Sequence, residues 1–250
     1  VQKEFIISVC IVIGTYNERD NIKPLLDEIF KAKPDLDILF VDDNSPDGTG
    51  QLIEEIAAAD KRVRVIHRPG KMGLGSAYRT AFRQLLETTK PEYIFELDAD
   101  FSHDPAQIPQ FIAKIESGYD LVIGARYIPG GSTPTWNAYR KAISWSANIY
   151  ARILLGWHIH DYTTGYRVYR AKKLASIDLD AVKSEGYSFQ IEMAFTFAEC
   201  GFKVGEVPIR FIDRTVGKSK FSRKIVFEAM FRVFLFAIKR IGNMFRKRGR

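Results

Sequence analysis

The chain has 250 residues, 46% hydrophobic and 27% charged, which suits one large globular domain with an appendage. Its net charge of +7 is lopsided: from Arg214 onward twelve Lys or Arg face one acid, Glu228, so the preceding body is acidic by four charges and only the tail points to a polyanion or an anionic membrane. Cys10 and Cys200 lack a C-x-x-C partner and read as buried reduced thiols, and the longest apolar runs, Val9–Ile13 and Val233–Ile238, are far below the ~20 residues of a spanning helix, which excludes a disulfide scaffold and a transmembrane segment.

In chain order, Phe5–Ile13 is almost continuously apolar and rich in β-branched residues, which predicts a buried parallel strand. Thr15-Tyr16-Asn17-Glu18 is a loop, and apolar residues at 22, 25, 26, 29 and 30 predict a helix over Asn21–Phe30. Leu36–Val41 is a second strand that runs into a dense turn cluster, Asp42-Asp43-Asn44-Ser45-Pro46-Asp47-Gly48. A helix over Thr49–Ala59, a strand over Val63–Ile66, a glycine-rich turn at Gly70–Gly75 and a helix over Ser76–Glu87 follow. Tyr93–Leu97 is the fourth strand, Ala106–Ser117 a helix and Asp120–Gly124 a fifth strand. Beyond these come a helical pattern over Tyr139–Leu155, a turn over Asp161–Arg167 that leads into Val168–Tyr169, and a helix over Tyr187–Cys200. Lys203–Ile212 reads as a short strand pair broken by Pro208. Strands alternating with helices give an α/β, doubly wound, mainly parallel sheet, and such sheets bind ligands outside the C-terminal ends of their strands. Gly73-Leu74-Gly75 does not complete a dinucleotide fingerprint, and Gly217-Lys218-Ser219 lacks the upstream glycine and strand of a P-loop.

The stretch Tyr93–Pro105 carries the chemistry. Its apolar run ends in Asp98 and Asp100, one residue apart, which on a strand point to the same side. Paired carboxylates repel unless a cation or proton lies between them. A hard divalent ion, Mg²⁺ or Mn²⁺, completed by substrate phosphates, answers that need. An acidic loop with a helix cap at Ser102 or Asp104 and Pro105 at the first helical position is the bland alternative.

Nine short motifs occur in order: T-Y-N-E (15–18), V-D-D-N-S-P-D-G-T (41–49), G-L-G-S-A (73–77), D-A-D-x-S-H (98–103), G-x-R-Y (124–127), D-x-T-x-G-x-R (161–167), G-Y-x-F-Q-I-E-M (186–193), V-P-I-x-F-x-D-R (207–214) and G-x-S-K (217–220). Together they resemble the dolichol-phosphate mannose synthases, polyprenyl-phosphate glycosyltransferases of family 2 with a GT-A fold. The resemblance implies inverting transfer of mannose from GDP-mannose to dolichyl or polyprenyl phosphate, with glucose from UDP-glucose as the close alternative.

By the same resemblance, Asp98, Asp100 and Arg126 are catalytic. Gly14, Tyr16, Glu18, Val41, Asp43, Asp98, Ala99, Asp100, Arg126, Gln190, Arg214 and Lys220 hold the nucleotide sugar. Arg126, Arg140 and Ser144 hold the acceptor phosphate, and Asp100 with Ser102 holds Mg²⁺ or Mn²⁺. Gln190 and Glu192 match a helix near the sugar, with a solvated helix face as the alternative. Gly14 stands where the family usually has proline, which predicts a looser loop, and Ser102 where some relatives carry Gln. His103 reads as structural, and His67, His158 and His160 receive no role. The acceptor, a phosphate monoester with a second pKa near ~6, is already an anion and needs cations more than a strong base. Arginine supplies bidentate contacts and lysine a compact charge.

Residues 1–213 then form a GT-A catalytic domain with an interfacial helix over 139–157. Residues 214–250 form a mobile loop with Arg214 and Lys220, followed by a basic amphipathic tail. Ile225, Met230, Phe231, Phe234, Leu235, Ile238 and Ile241 fit one apolar face, and Arg232, Lys239 and Arg240 lie elsewhere on the wheel. That pattern predicts an interfacial helix on an anionic membrane surface, at the cytoplasmic face, with small membrane-anchoring subunits as admissible partners and no nucleic acid. A core-packed helix with a nucleic-acid-binding end is the alternative for the tail. A non-catalytic nucleotide-binding subunit of a membrane complex is the alternative for the whole chain.

Overall fold

The computed structural model describes residues 8–213 and 223–248. Five strands fall where the apolar runs predict them: β1 (Val9–Thr15), β2 (Asp37–Asp42), β3 (Val63–His67), β4 (Tyr93–Glu96) and β5 (Leu121–Ala125). Two more, β6 (Arg167–Arg170) and β7 (Val204–Pro208), complete a seven-stranded sheet of order β3-β2-β1-β4-β6-β5-β7. All neighbours are parallel except β6, which runs antiparallel between β4 and β5. The strand pair expected within Lys203–Ile212 is instead one strand that stops at Pro208, whose ring has no N–H for the ladder, followed by an isolated bridge between Ser132 and Arg210.

Helices cover both faces, as a doubly wound sheet requires. On one face α1 (Arg19–Ala32), α2 (Thr49–Ala59) and α4 (Ile108–Glu116) bury Ile22, Ile53 and Phe111 against the outward sides of β1, β2 and β4. On the other face lie α3 (Leu74–Glu87), α5 (Ala138–Leu155), the short α6 (Ala171–Leu174), α7 (Gly186–Glu199) and α8 (Arg223–Arg248). The helix α7 is buried nearly all round, and both Gln190 and Glu192 are inside it; the solvated-face alternative for these two residues is wrong. Of the two thiols, Cys10 is buried in β1 as expected, whereas Cys200 is exposed because it caps α7 after the helix has left the core.

One side of α8 packs on the body. Val233, Phe236 and Ala237 are buried there, Phe236 stacks on Phe195 at 5.5 Å, and the Tyr150 hydroxyl donates to the Met230 carbonyl at 3.2 Å. Its other side leaves Phe231, Phe234, Leu235, Ile238 and Ile241 exposed, and α5 adds exposed Tyr139, Trp145 and Ile153, followed by Trp157. Among the described residues no helix is long and apolar enough to cross a membrane.

Candidate active site

Two clefts open at the end of the sheet where β1, β2, β4 and β5 terminate. The first, about 690 Å³ including the solvent at its mouth, is polar and lined by Gly14, Tyr16, Glu18, Val41, Asp43, Asp98, Ala99 and Asp100, together with Lys71, Gly73 and Leu74. Eight of the residues assigned to the nucleotide sugar thus share one cavity. Gly14 is not in a loose loop: it is the penultimate residue of β1, paired with Val41, and a Cβ there would press on Leu74 Cδ1 at 3.2 Å.

Local hydrogen bonds shape this cleft. Asp42 ends β2 and accepts from the Thr15 hydroxyl (3.1 Å), the Ser45 hydroxyl (2.5 Å) and the Ser45 N–H (3.0 Å), so the turn after β2 is locked onto the end of β1. Asp43 forms a buried ion pair with Arg68, whose Nη1 reaches Ser76 Oγ (2.9 Å) and whose Nη2 reaches the Gly73 carbonyl (3.0 Å). Arg68 therefore ties the base of the cleft to the glycine turn above it. Gly73, at φ 96°, must be glycine, because a side chain there would be strained and would also run into Glu185. Lys71 places its ammonium 4.6 Å from the Tyr16 ring centroid, adding a cation at the rim.

At the floor, Phe101 sits in the left-handed region at φ 59°, a costly conformation for an aromatic residue. The turn it makes folds Ser102 back over Asp100, whose Oδ1 accepts from Ser102 N at 3.0 Å. Ser102 Oγ is buried and has no hydrogen-bond partner among the described residues. A lone hydroxyl beside a buried carboxylate is a hard-oxygen donor set, which fits Mg²⁺ or Mn²⁺ and not a soft-metal site. The described residues hold no cluster of three or more His, Cys, Asp or Glu suited to a metal. His103 is buried, stacks on Tyr166 at 4.8 Å and accepts from the Asp98 N–H through Nδ1 at 3.2 Å. Burial, with the Arg126 charge adding to it, pushes its pKa down to about 4 against the pull of Asp100 and Asp161, so the ring is neutral and structural, as expected. His160, given no role from sequence, pairs with Glu206 at 2.6 Å.

The second cleft is apolar, about 750 Å³ in extent, and runs between α5, α7 and α8. Ile143, Ala147, Ile191 and Val233 line its length; Arg126, Arg140 and Ser144 gather at one end. The three residues assigned to the acceptor phosphate are therefore brought together, apart from the first cleft but close to it. Phe211 belongs to the wall of the apolar cleft, its ring 5.7 Å from that of His103 and 5.5 Å from the Arg126 guanidinium.

Arg126 is nearly buried and its Nε and Nη2 clamp Asp161 at 2.7 and 2.8 Å, while Nη2 also donates to Thr163 Oγ1 at 2.6 Å. Burial disfavours both charges, but each partner more than offsets it for the other: Arg126 is held above its ordinary pKa and Asp161 below its own. Arg140 donates to Asp213 at 2.6 Å and lies over the Trp136 ring at 4.2 Å, and Ser144 accepts from the Tyr127 hydroxyl at 2.6 Å. Gln190 is buried and lines neither cleft; its amide donates to Glu96. Arg214 and Lys220, with the loop they belong to, lie outside the described residues.

Sequence reading missed Arg68, Lys71, Glu96 and Asp161. Glu96 carried a usable signal, an acid inside an otherwise apolar strand two residues before Asp98. Burial pushes its carboxyl up to about 7, against the pull of Arg167 and of its hydrogen bond from Gln190. Asp161 lay within a quoted motif, but its partner, 35 residues earlier, could not be read from spacing.

Residues 10–177 match the family model described as glycosyl transferase family 2. The chain belongs to that family. This glycosyltransferase is 46% identical over 225 residues to the undecaprenyl-phosphate mannosyltransferase of Micrococcus luteus, covering 90% of this chain and 92% of the relative. It is 45% identical over 240 residues to the polyprenol monophosphomannose synthase of Mycolicibacterium smegmatis, covering 96% and 89%. Both bear out the resemblance to polyprenyl-phosphate mannose synthases. The glucosyl-3-phosphoglycerate synthase of Mycobacterium tuberculosis, solved with Mn²⁺, UDP and glucosyl-3-phosphoglycerate, shares the fold at a TM-score of 0.64 and 19% identity, over 94% of this chain and 80% of that one. The glycosyltransferase thus has the GT-A fold expected of it.

Proposed function

We propose that the chain transfers mannose, with inversion, from GDP-mannose to the phosphate of a polyprenol such as dolichol. The observation that carries this reading is the pairing of the two clefts: a polar one floored by Asp98 and Asp100, and an apolar one whose inner end holds Arg126 and Arg140. A nucleotide diphosphate sugar suits the first, and a phosphate on a long hydrocarbon suits the second. The names of the two relatives support mannose and the polyprenyl acceptor.

In this reading Tyr16, Glu18, Val41 and Asp43 surround the base and ribose, and Asp98 and Asp100 face the ribose and diphosphate. Asp100 and Ser102 would hold Mg²⁺ or Mn²⁺, which when bound neutralises charge gathering on the departing diphosphate. Arg126 and Arg140 orient the acceptor phosphate, and Asp161 holds the Arg126 fork in place for it. A phosphate oxygen attacks the sugar C1 as the bond from C1 to the diphosphate oxygen breaks; GDP leaves and no proton need be removed. Arg214 and Lys220 are proposed to close over the diphosphate. Residues 1–213 would form the catalytic domain. The exposed aromatic side of α5 and the outer side of α8, with the basic end of the tail, would rest on an anionic bilayer at its cytoplasmic face.

A donor screen tests the reading: a short polyprenyl phosphate, Mn²⁺ or Mg²⁺, and radiolabelled GDP-mannose or UDP-glucose. GDP-mannose should give labelled lipid that EDTA prevents. Label from UDP-glucose alone would replace mannose by glucose, and no label from any donor would favour a non-catalytic subunit.

A further inference from the structure

Glu96 is the last residue of β4 and wholly buried, with no direct part in either cleft. Its Oε2 accepts from Gln190 Nε2 at 2.8 Å, while Arg167, itself buried, donates through Nη1 to the Gln190 backbone carbonyl at 2.6 Å. Gln190 is thus held at both its backbone and its side chain. An amide has one acceptor end and one donor end with two hydrogens, and a carboxylate admits only the donor end. In its ionised form, which burial opposes and which Arg167 and this bond favour, Glu96 takes one Nε2 hydrogen at Oε2 and so decides which way the amide faces.

The space beside this amide is left by Gly165. Its φ is not positive, so its backbone does not call for glycine. A methyl built there would stand 3.4 Å from Gln190 Nε2, 3.7 Å from His103 Cε1 and 3.9 Å from Asp98 Oδ1, all ordinary contacts. With glycine at 165 no side chain stands between this amide donor and this carboxylate acceptor, whereas the methyl of an alanine there would sit against both. A hydroxyl is the group that satisfies both, donating to one and accepting from the other.

We propose that Glu96 is a positioning residue that aims the Gln190 amide into the space beside Gly165, where a hydroxyl of the donor sugar is held between Gln190 Nε2 and Asp98 Oδ1. This rests on the reading that the Asp98 cleft takes a nucleotide sugar. It assigns sugar recognition to a buried strand acid and a missing side chain.

The test is calorimetric and needs no turnover. GDP and GDP-mannose are titrated, with Mn²⁺, into the full chain, Glu96→Gln and Gly165→Ala, so that the ratio of the two affinities isolates the sugar. GDP affinity should stay within about twofold in both variants, while the advantage of GDP-mannose over GDP should fall about tenfold, the scale of one lost hydrogen bond with a partner left unpaired. Among monodeoxy GDP-mannoses, one should bind the unaltered chain about tenfold less well yet bind Gly165→Ala no worse than GDP-mannose does. An undiminished advantage in Gly165→Ala overturns the proposal. So does a loss in Glu96→Gln that is equal for GDP and GDP-mannose, because that is structural damage alone. If UDP-glucose binds in place of GDP-mannose, the donor assignment fails and the same ratio, read for UDP-glucose over UDP, still decides the proposal. Binding of neither sugar nucleotide overturns both.

Discussion

Replacing Asp161 by Asn strikes the strongest buried pair at the apolar cleft. The carboxylate accepts five bonds: Arg126 N, Nε and Nη2 at 3.0, 2.7 and 2.8 Å, and Thr163 N and Oγ1 at 3.3 and 3.2 Å. Both of its oxygens face donors, so whichever becomes an amide nitrogen turns a donor, in place of an acceptor, toward N–H groups that have nowhere else to go. The Arg126 charge, nearly buried, is left without its counterion. Breaking such a pair from one side costs about 3–5 kcal/mol, a large share of the ~5–15 kcal/mol that holds a domain folded. With a urea slope of at least ~2 kcal/mol per molar, the unfolding midpoint should fall by roughly 1–2 M. The second readout is kinetic. With Arg126 no longer pinned, the KM for polyprenyl phosphate should rise about tenfold or more while that for GDP-mannose holds. A midpoint that moves by less than about 0.3 M, worth under ~1 kcal/mol, would refute the claim that this pair stabilises the fold. A rise in both KM values together would refute its assignment to the acceptor side.

The same pair sets an acid limit. Because the Asp161 pKa is lowered in the folded chain, its contribution is fully present above the ordinary carboxylate value near ~4 and is lost as pH falls through the folded value. Urea midpoints should therefore drop below about pH 4, and drop less steeply in Asp161→Asn. Asp100→Asn keeps an oxygen for Ser102 N but removes the charge. Transfer should fall about 100-fold or more with the unfolding midpoint little changed, and full activity in that variant or in EDTA would sink the metal assignment. Arg140→Ala, which also leaves Asp213 with only the Trp136 Nε1 donor on its Oδ1 and uncovers the Trp136 ring, should raise the acceptor KM about tenfold and leave GDP binding by calorimetry as it was. Phe231, Phe234, Ile238 and Ile241 are all at least half exposed. Changing the four to Ser should abolish co-sedimentation with anionic liposomes, each losing ~1.5 kcal/mol or more of burial, and spare GDP binding. Sedimentation equal to that of the unaltered chain would make the α5 aromatics the anchor instead.

The first five strands were legible because each is a short, mainly apolar run closed by turn residues; β1, β2, β4 and β5 are buried on both faces, and the edge strand β3 shows itself by Val63, Val65 and Ile66. The antiparallel β6 was not. Its four residues, Arg167–Arg170, carry an arginine at each end, and Arg167 belongs inside only because three backbone carbonyls, those of Tyr162, Thr164 and Gln190, receive its guanidinium. Spacing does not announce carbonyls. For α7 the alternative reading of Gln190 and Glu192 as a solvated face had a physical basis, since polar residues usually mark solvent, but the helix is enclosed by the sheet side, α3 and α8, and its polar groups are bonded inward to Glu96 and to Ser184 N. The polar cleft was readable because its residues sit directly at strand ends. The apolar one was readable at its charged end only, because its length is made by three helices meeting, which is a property of packing and not of any one segment.

One consequence of β6 concerns how such a chain changes over time. The stretch that leaves β5 at Arg126 contains α5 and returns as β6 beside the very strand it left: Ile123 pairs with Arg167, and Gly124 N donates to the Tyr166 carbonyl at 2.8 Å. Its two attachment points are neighbours, so the forty or so residues between them form a closed excursion. Most of the wall of the apolar cleft lies on that excursion, and the residues lining the polar cleft lie wholly before it. A recombination event, or a designer, that exchanges this one segment at its twin junctions would replace most of the apolar cleft's wall and leave every residue lining the polar cleft in place.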